Sequence, residues 1–199
     1  MRRLLRGSDG FTLAELLVVI AILAFIMGAV FTLQQQGQIA YLTGAARVEV
    51  QQNARVGLDT MLSELRLALP EPGTTRVVDN IDNNCSAGAP PTSGGGSSIT
   101  FTNQEGSDIT YQLLGVNCAT STTGCNLQRV ESGVAATLVG GVQQLQIWCY
   151  NGSGTLNNAL SGIREVRIQI RTKTERPAAA GSPGDQHAVA EGRVRFRNI

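Results

Sequence analysis

The feature that most constrains this chain is an uncharged apolar run, LLVVIAILAFIMGAVF, over residues 16–31. The next charged residue after it is Arg47. A helix needs about 20 mainly apolar residues to cross a bilayer, and the uncharged flanks extend the run to that length. Its eleven Leu, Ile, Val and Phe residues contribute about −3 to −7 kcal/mol to insertion, whereas Glu15 opposes insertion by at most about 3 kcal/mol. The run therefore predicts one membrane-spanning helix.

Basic residues set the expected orientation of that helix. Arg2, Arg3 and Arg6 precede the run, and no Lys or Arg lies between Arg6 and Arg47. Cytoplasmic flanks of membrane helices carry the excess of basic residues. We therefore expect a single-pass membrane protein with a cytoplasmic N-terminus and the bulk of the chain outside.

Composition argues against the common enzyme classes. The 199 residues include one His, His187, and one Lys, Lys173, and the formal net charge is +1. One histidine cannot build a multi-histidine zinc site, and neither a phosphate-binding loop nor a dinucleotide-binding fingerprint is present. We expect no enzyme, no cofactor and no metal. The near-neutral charge also argues against a strongly basic nucleic-acid-binding surface.

Two general interpretations of the N-terminus compete with a more specific one. A secretory signal peptide would be cleaved after the apolar core, but Met27-Gly28-Ala29 has a large residue where a small one is wanted. A plain signal anchor explains the apolar run. It does not explain the Gly10-Phe11 junction or the acid at Glu15.

The string GFTLAELLVVIAIL at residues 10–23 resembles the N-terminal signature of type IV pilins and type II secretion pseudopilins. The resemblance covers about the first thirty residues. It implies a cytoplasmic leader, residues 1–10, that a prepilin peptidase removes by cleavage between Gly10 and Phe11. The same enzyme then methylates the new N-terminus of Phe11.

The resemblance also assigns roles to the first residues of the mature chain. Thr12 and Leu13 occupy the family's small-polar and apolar positions, and Glu15 is the acid of the motif. A carboxylate in hydrocarbon is costly unless it is paired. Cleavage creates an amine on Phe11 at the same depth, so Glu15 of one subunit can pair with that amine on its neighbour. The alternative is that Glu15 is an interfacial residue whose side chain snorkels to the membrane–water interface and has no role in assembly.

The helix continues beyond the membrane segment. Apolar residues recur at helical spacing in one stripe, formed by Ala54, Leu58, Met61, Leu62, Leu65 and Leu69. Pro70 and Pro72 follow and predict a stop. We expect one helix with a membrane or filament-core half, residues 11–33, and an amphipathic half, residues 34–69, that packs on a globular domain.

Residues 70–199 switch to a period of two, which predicts an antiparallel sheet with one buried face. Alternating segments occur at residues 99–101, 109–113, 144–149, 165–171 and 193–197, with a hairpin turn at Gly106. Residues 87–98, 151–162 and 176–186 read as loops. The predicted fold is α+β, with a long N-terminal membrane helix packed on the sheet domain.

Four cysteines, all beyond the membrane segment, fit an oxidising compartment. Cys118 and Cys125 flank a short Gly- and Thr-rich loop, so a local disulfide between them is the first choice of three connectivities. That pairing leaves Cys85 with Cys149. A zinc site is the alternative.

Two polar clusters carry weaker hypotheses. A basic stripe on alternating strand positions would contact DNA, anionic lipid or an acidic subunit, or would be a solvated face with cross-strand carboxylates; it consists of Arg167, Arg171, Arg193, Arg195 and Arg197. The segment from Asp79 to Asn84 could hold calcium, but Asn- and Asp-rich turns are common without it.

His187 lies in a predicted loop, and no nucleophile and acid are arranged with it for catalysis.

Residues 48–68 and the ending at 194–199 resemble PilW-type minor pilins, and J-type pseudopilins are similar there. This looser resemblance implies a low-copy subunit that helps to initiate or cap a filament. The implied partners are major and minor pilin subunits, the prepilin peptidase and methyltransferase, the inner-membrane assembly platform and membrane lipid. The alternatives are a pseudopilin of type II secretion, and an adhesin or DNA-uptake subunit at a filament tip.

Overall fold

The computed structural model describes residues 10–70, 74, 76–81, 98–121, 123–157, 159–175 and 185–196. The chain forms two compact units, which meet between Tyr41 and Leu42 in sequence. One helix, α1 (Leu13–Leu67), contributes residues to both. The predicted leader, residues 1–10, lies outside the described residues except for Gly10.

The first unit is the N-terminal part of α1. The helix contains a segment long and apolar enough to cross a membrane, and none of that segment is buried inside the protein. A core helix of a soluble protein would be mostly buried, so the full exposure of this segment argues against that alternative. A signal sequence near the N-terminus has the same length and composition.

The second unit is an α+β domain, as predicted. Seven antiparallel strands form one sheet whose spatial order equals the chain order. The strands are β1 (Val78–Ile81), β2 (Ile99–Thr102), β3 (Asp108–Leu114), β4 (Cys125–Glu131), β5 (Val134–Tyr150), β6 (Glu165–Lys173) and β7 (His187–Arg195). A short 3₁₀ helix, η1 (Leu160–Gly162), precedes β6.

The C-terminal part of α1 packs on one face of this sheet through the predicted apolar stripe. Its buried residues are Val50, Ala54, Gly57, Leu58, Met61, Leu62 and Leu65. A Cβ at Gly57 would stand 3.2 Å from side-chain atoms of Leu127 and Val139, so glycine permits the close approach of helix and sheet. On the sheet side, Ile99, Phe101, Tyr111 and Leu145 are fully buried.

The helix ends two residues earlier than the stripe predicted. Its last residue is Leu67, and Leu69 instead bridges to Thr102, with the Leu69 amide donating to the Thr102 carbonyl at 3.1 Å. Pro70 explains the difference, because proline disfavours the helical conformation of the residue before it.

The predicted hairpin around Gly106 is present, but the sheet is larger than the sequence indicated. Strands β1 and β4 were not predicted, and β5 begins at Val134 rather than near residue 144. Residues 134–137 at the start of β5 are all exposed, so neither face of this segment needs apolar residues. Their sequence, Val-Ala-Ala-Thr, does not alternate between apolar and polar residues. A pattern search at period two cannot detect such a strand.

Strand β7 also begins earlier than predicted, at His187 instead of residue 193, so the placement of His187 in a loop was wrong. Its side facing the helix carries small residues, Ala188, Ala190 and Gly192, in place of large apolar ones. A Cβ at Gly192 would collide with Leu62 of α1. The close helix therefore selects small residues, which removes the alternation that identifies a strand.

Candidate functional site

The first turn of α1 is built as a capping box. Thr12 precedes the helix, and its side-chain oxygen accepts a hydrogen bond from the Glu15 amide at 3.3 Å. The Glu15 carboxylate reaches back, and its Oε2 accepts both the Thr12 amide and the Thr12 hydroxyl at 3.0 Å. Two backbone amides that have no partner within the helix are thereby satisfied.

Among the described residues, this geometry leaves one carboxylate oxygen of Glu15 without a partner. Both Thr12 bonds go to Oε2, and no donor from the described part of the chain reaches Oε1. The side chain lies in a shallow groove along the helix with Phe11, Ala14, Val18 and Val19. The site therefore offers a carboxylate oxygen at the start of the apolar segment of α1, which carries no other charge before Arg47.

The two residues that flank Thr12 in sequence lie on the surface. The side chains of Phe11 and Leu13 are 86% and 76% exposed. Phe11 precedes the helix, which begins at Leu13. The Gly10-Phe11 junction thus lies in non-helical chain, which is the form of backbone that a peptidase can bind.

A second set of functional groups, missed by sequence reasoning, joins α1 to the sheet. The Tyr111 hydroxyl donates to Glu64 Oε2 at 2.7 Å, and Arg129 Nε donates to Glu64 Oε1 at 2.9 Å. Arg129 Nη1 also donates to Glu131 Oε2 at 2.6 Å. Burial, and then the hydrogen bond to Glu64, raise the pKa of the Tyr111 phenol well above its usual range.

These contacts fix the helix on the sheet at one polar point within an apolar interface. Glu64 is separated from Tyr111 and Arg129 by 47 and 65 residues. No local pattern relates residues so far apart, so this cluster could not be detected from sequence periodicity.

The disulfide assignment is confirmed for the local pair. Cys118 and Cys125 form a disulfide, which closes the loop between β3 and β4. Cys149 is disulfide-bonded as well, and Cys85, its predicted partner, lies outside the described residues. In the described part of the chain no group of His, Cys, Asp or Glu could hold a metal ion.

Most of the predicted basic stripe lies on the outer face of β6 and β7, and part of it is paired with carboxylates. Arg167 Nη2 lies 2.6 Å from Glu191 Oε2, and Arg193 Nη1 lies 3.2 Å from Glu165 Oε1. The hydrogen bond to Arg167 lowers the pKa of the Glu191 carboxyl. Arg197 lies outside the described residues.

The predicted calcium segment is only partly described. Asp79 lies in β1, where its Oδ2 accepts a hydrogen bond from the Thr102 hydroxyl at 3.2 Å; residues 82–84 lie outside the described residues. His187 and Lys173 both contact Asp185, each with a nitrogen 3.3 Å from Oδ1. Lys173, the largest cause, and His187 lower the pKa of the Asp185 carboxyl.

The N-terminal segment matches a known family model. Residues 5–31 match the model of the prokaryotic N-terminal methylation motif. The matched segment contains the Gly10-Phe11 junction, the capping box and the apolar run. This motif supports a type IV pilin or pseudopilin subunit.

The matched motif also bears on processing, assembly and location. The motif implies processing by a prepilin peptidase and assembly with other pilins, and with the long apolar helix it fits an inner-membrane-anchored pilin. It suggests a structural subunit and not an enzyme. Comparisons with curated proteins and with solved structures each found no match.

Proposed function

We propose that this chain is a minor subunit of a type IV pilus that is processed between Gly10 and Phe11 and assembles through α1. The observation that carries the proposal is the isolated Glu15 carboxylate, which lies at the start of the uncharged apolar segment of α1 and keeps Oε1 unpartnered within the described chain. Around it lies the matched methylation motif. The second unit supplies an α+β domain.

The chemistry of assembly follows from the cost of an unpaired carboxylate. Membrane lipid offers no strong donor for Glu15 Oε1, so the charge is poorly stabilised in a single subunit. Cleavage before Phe11 gives each subunit an ammonium group. The Phe11 amine of one subunit then meets Glu15 of the next, which removes the uncompensated charge and defines the axial register between subunits.

Capping and assembly use different parts of the same carboxylate. Thr12 occupies Oε2 and orients the side chain toward the helix N-terminus. Oε1 stays available for the neighbouring amine. Thr12 therefore acts as a positioning residue, and Leu13 contributes apolar surface beside the contact.

We also propose the topology and the branch of the family. The basic residues before the apolar run favour a cytoplasmic N-terminus, and the disulfides suit the periplasm, an oxidising compartment, for the second unit. Filament assembly with major and minor pilins on the inner-membrane platform would carry that unit to the pilus. The resemblance of residues 48–68 and 194–199 to PilW-type proteins supports a low-copy role in initiation or capping.

The decisive measurement of processing is the mass of the mature N-terminus. We expect N-methylated Phe11 as the first residue of the protein isolated from cells. A chain that retains Met1, or one cleaved beyond Phe31, would contradict the proposal.

The assembly step is tested by Glu15→Ala, with Asp59→Ala as the matched control on an exposed position of the same helix. We expect Glu15→Ala to insert and to be processed, but to lose at least tenfold in incorporation into filaments, because the amine has no carboxylate to bind. Asp59→Ala should assemble normally. Normal incorporation of Glu15→Ala would refute the pairing.

A deletion strain distinguishes a role in the pilus from a role in type II secretion. Deletion of the gene should remove surface pili and leave protein export intact. Loss of export with normal pili would instead assign the chain to the J-type pseudopilins of type II secretion.

A further inference from the structure

The outer face of β5, β6 and β7, opposite the face packed on α1, combines aromatic rings with arginines. We call it the aromatic–arginine face; it consists of Trp148, Tyr150, Arg167, Arg171, Arg193 and Arg195. The alternation of burial along β6 shows the two faces, with Val166, Ile168 and Ile170 buried on the other side. The proposed assembly function does not use this face.

The strand register brings the rings and the guanidinium groups into direct contact. Trp148 lies opposite Arg167, which in turn lies opposite Arg193. The guanidinium carbon of Arg167 is 4.8 Å from the Trp148 ring centroid, and that of Arg193 is 5.4 Å from the ring of Tyr150. Both distances are typical of cation–π pairs. These contacts hold the two rings and the two guanidinium groups in place on this face.

The charge of the face is positive after its internal pairs are counted. Arg167 pairs with Glu191, and Arg193 pairs with Glu165. Among the described residues no carboxylate forms an ion pair with Arg171 or Arg195. Four arginines and two glutamates leave a net charge of two positive units.

The two unpaired arginines stand at opposite ends of the face. Arg171 lies opposite Gln144, and Arg195 lies opposite Glu165, six positions away along β6. Six residues of an antiparallel strand span about 20 Å. The rings of Trp148 and Tyr150 lie toward the Arg195 end, so aromatic surface and free charge are arranged along one line.

We propose that the aromatic–arginine face binds single-stranded nucleic acid. Bases stack on the Trp148 and Tyr150 rings and on the guanidinium planes that accompany them, and phosphates contact Arg171 and Arg195. A sheet face that presents aromatic residues with arginines is the arrangement that other single-strand binders use. A duplex hides its base faces, so it would use the charge of this face but not its rings.

Trp148 is the single tryptophan of the chain, so intrinsic fluorescence reports on this face directly. The full chain in nanodiscs of zwitterionic lipid would be titrated with oligothymidylate of about 15 nucleotides, which covers the site sizes of such surfaces. We expect quenching of Trp148. Two phosphate contacts predict that log K falls with log salt with a slope of about −1.4.

The charge contribution is tested with the double variant Arg171→Gln/Arg195→Gln. These substitutions leave both ion pairs of the face intact, and we expect the salt slope to fall close to zero. Arg55→Gln, at an exposed position of α1, is the matched control and should keep the wild-type slope. Equal effects of the control and the double variant would overturn the proposal.

The stacking contribution is tested by anisotropy of a labelled oligothymidylate. Trp148→Leu should weaken binding by about tenfold, whereas Trp148→Phe, which keeps a ring, should weaken it by less than threefold. Thermal unfolding midpoints would verify that each variant is folded. A folded Trp148→Leu variant with unchanged affinity would overturn the proposal.

Three further outcomes would also overturn it. Polyphosphate could compete fully and bind with equal affinity, which would identify a simple anion surface. Vesicles with anionic lipid could bind through Arg171 and Arg195 while oligothymidylate does not, which would identify a membrane contact. Duplex DNA could bind as tightly as the single strand, which would exclude base stacking. None of these outcomes bears on processing at Gly10 or on assembly through Glu15.

Discussion

The two units of this chain use the same kind of residue in opposite ways. In the first unit the large apolar side chains of α1 are exposed, as Leu23 is at 52%, whereas in the second unit Leu65 of the same helix is fully buried against the sheet. Both segments are helical and rich in leucine. What differs is the partner, because the sheet covers one segment and no described residue covers the other. The comparison teaches that one helix can carry a folding surface and an assembly surface in succession.

The largest expected effect contrasts the same substitution in the two units. Leu65→Ala should lower the free energy of unfolding by about 2–5 kcal/mol, because it removes a fully packed side chain. Leu23→Ala should leave unfolding of the second unit unchanged and weaken membrane insertion by only about 0.5 kcal/mol. Urea unfolding followed by Trp148 fluorescence measures the first quantity. Equal destabilisation by both variants would break the distinction between the units.

A smaller effect is expected from the polar contact within the buried half. Glu64→Ala leaves the Tyr111 hydroxyl and Arg129 without their shared acceptor, and should cost about 1–3 kcal/mol. Asp59→Ala, at an exposed position on the same helix, should change the stability by less than about 0.5 kcal/mol.

A double-mutant cycle with Tyr111→Phe isolates the pair formed by Tyr111 and Glu64. We expect the two single effects not to add, since both variants remove the same hydrogen bond. Additive effects would show that Glu64 stabilises the domain through Arg129 alone.

The smallest effect is expected from the exposed pair on the outer face. The pKa of Glu191 is lowered in the folded chain, first by the hydrogen bond from Arg167. Its stabilisation is therefore present above the unfolded-state pKa and is lost as the pH falls through the lower, folded-state pKa. Because the pair is exposed, its contribution is below about 1 kcal/mol.

Glu191→Gln removes this dependence. We expect the variant to lose slightly less stability than the wild type when the pH is lowered from neutrality to about 3, a range that spans the ordinary carboxyl pKa. Urea midpoints at several pH values provide the measurement. A larger acid loss in Glu191→Gln than in the wild type would contradict the direction of the pKa shift.

The parts of the fold that could be predicted are those in which one face of a helix or strand is buried and the opposite face is exposed. The buried stripe of α1 and the alternation along β6 both carry strong periodicity, so the helix, the sheet and the α+β class followed from the sequence. Strands β1 and β4 and the start of β5 did not. In these segments the residue types depend on tertiary neighbours, or both faces of the strand are exposed. Apolar and polar residues then do not alternate clearly, so a search at period two does not identify a strand.

The candidate site divides in the same way. The Gly10-Phe11 junction and Glu15 could be read from the motif, and the capping box was also readable, since Thr12 and Glu15 have the required spacing; that feature was missed. The contact of Glu64 with Tyr111 and Arg129 could not be read, because it joins an α1 residue to two strands far along the chain. Pairing of the stripe arginines with carboxylates depended equally on the β6–β7 register.

The sequential strand order described for the sheet has a consequence for synthesis. Each strand after β1 pairs with the strand made just before it, and α1 is made before any of them. Each new hairpin can therefore join a surface that already exists, so the domain grows from one edge while the rest of the chain is still emerging. Such an order keeps loop closures short and limits the time during which an incomplete edge is open to other chains.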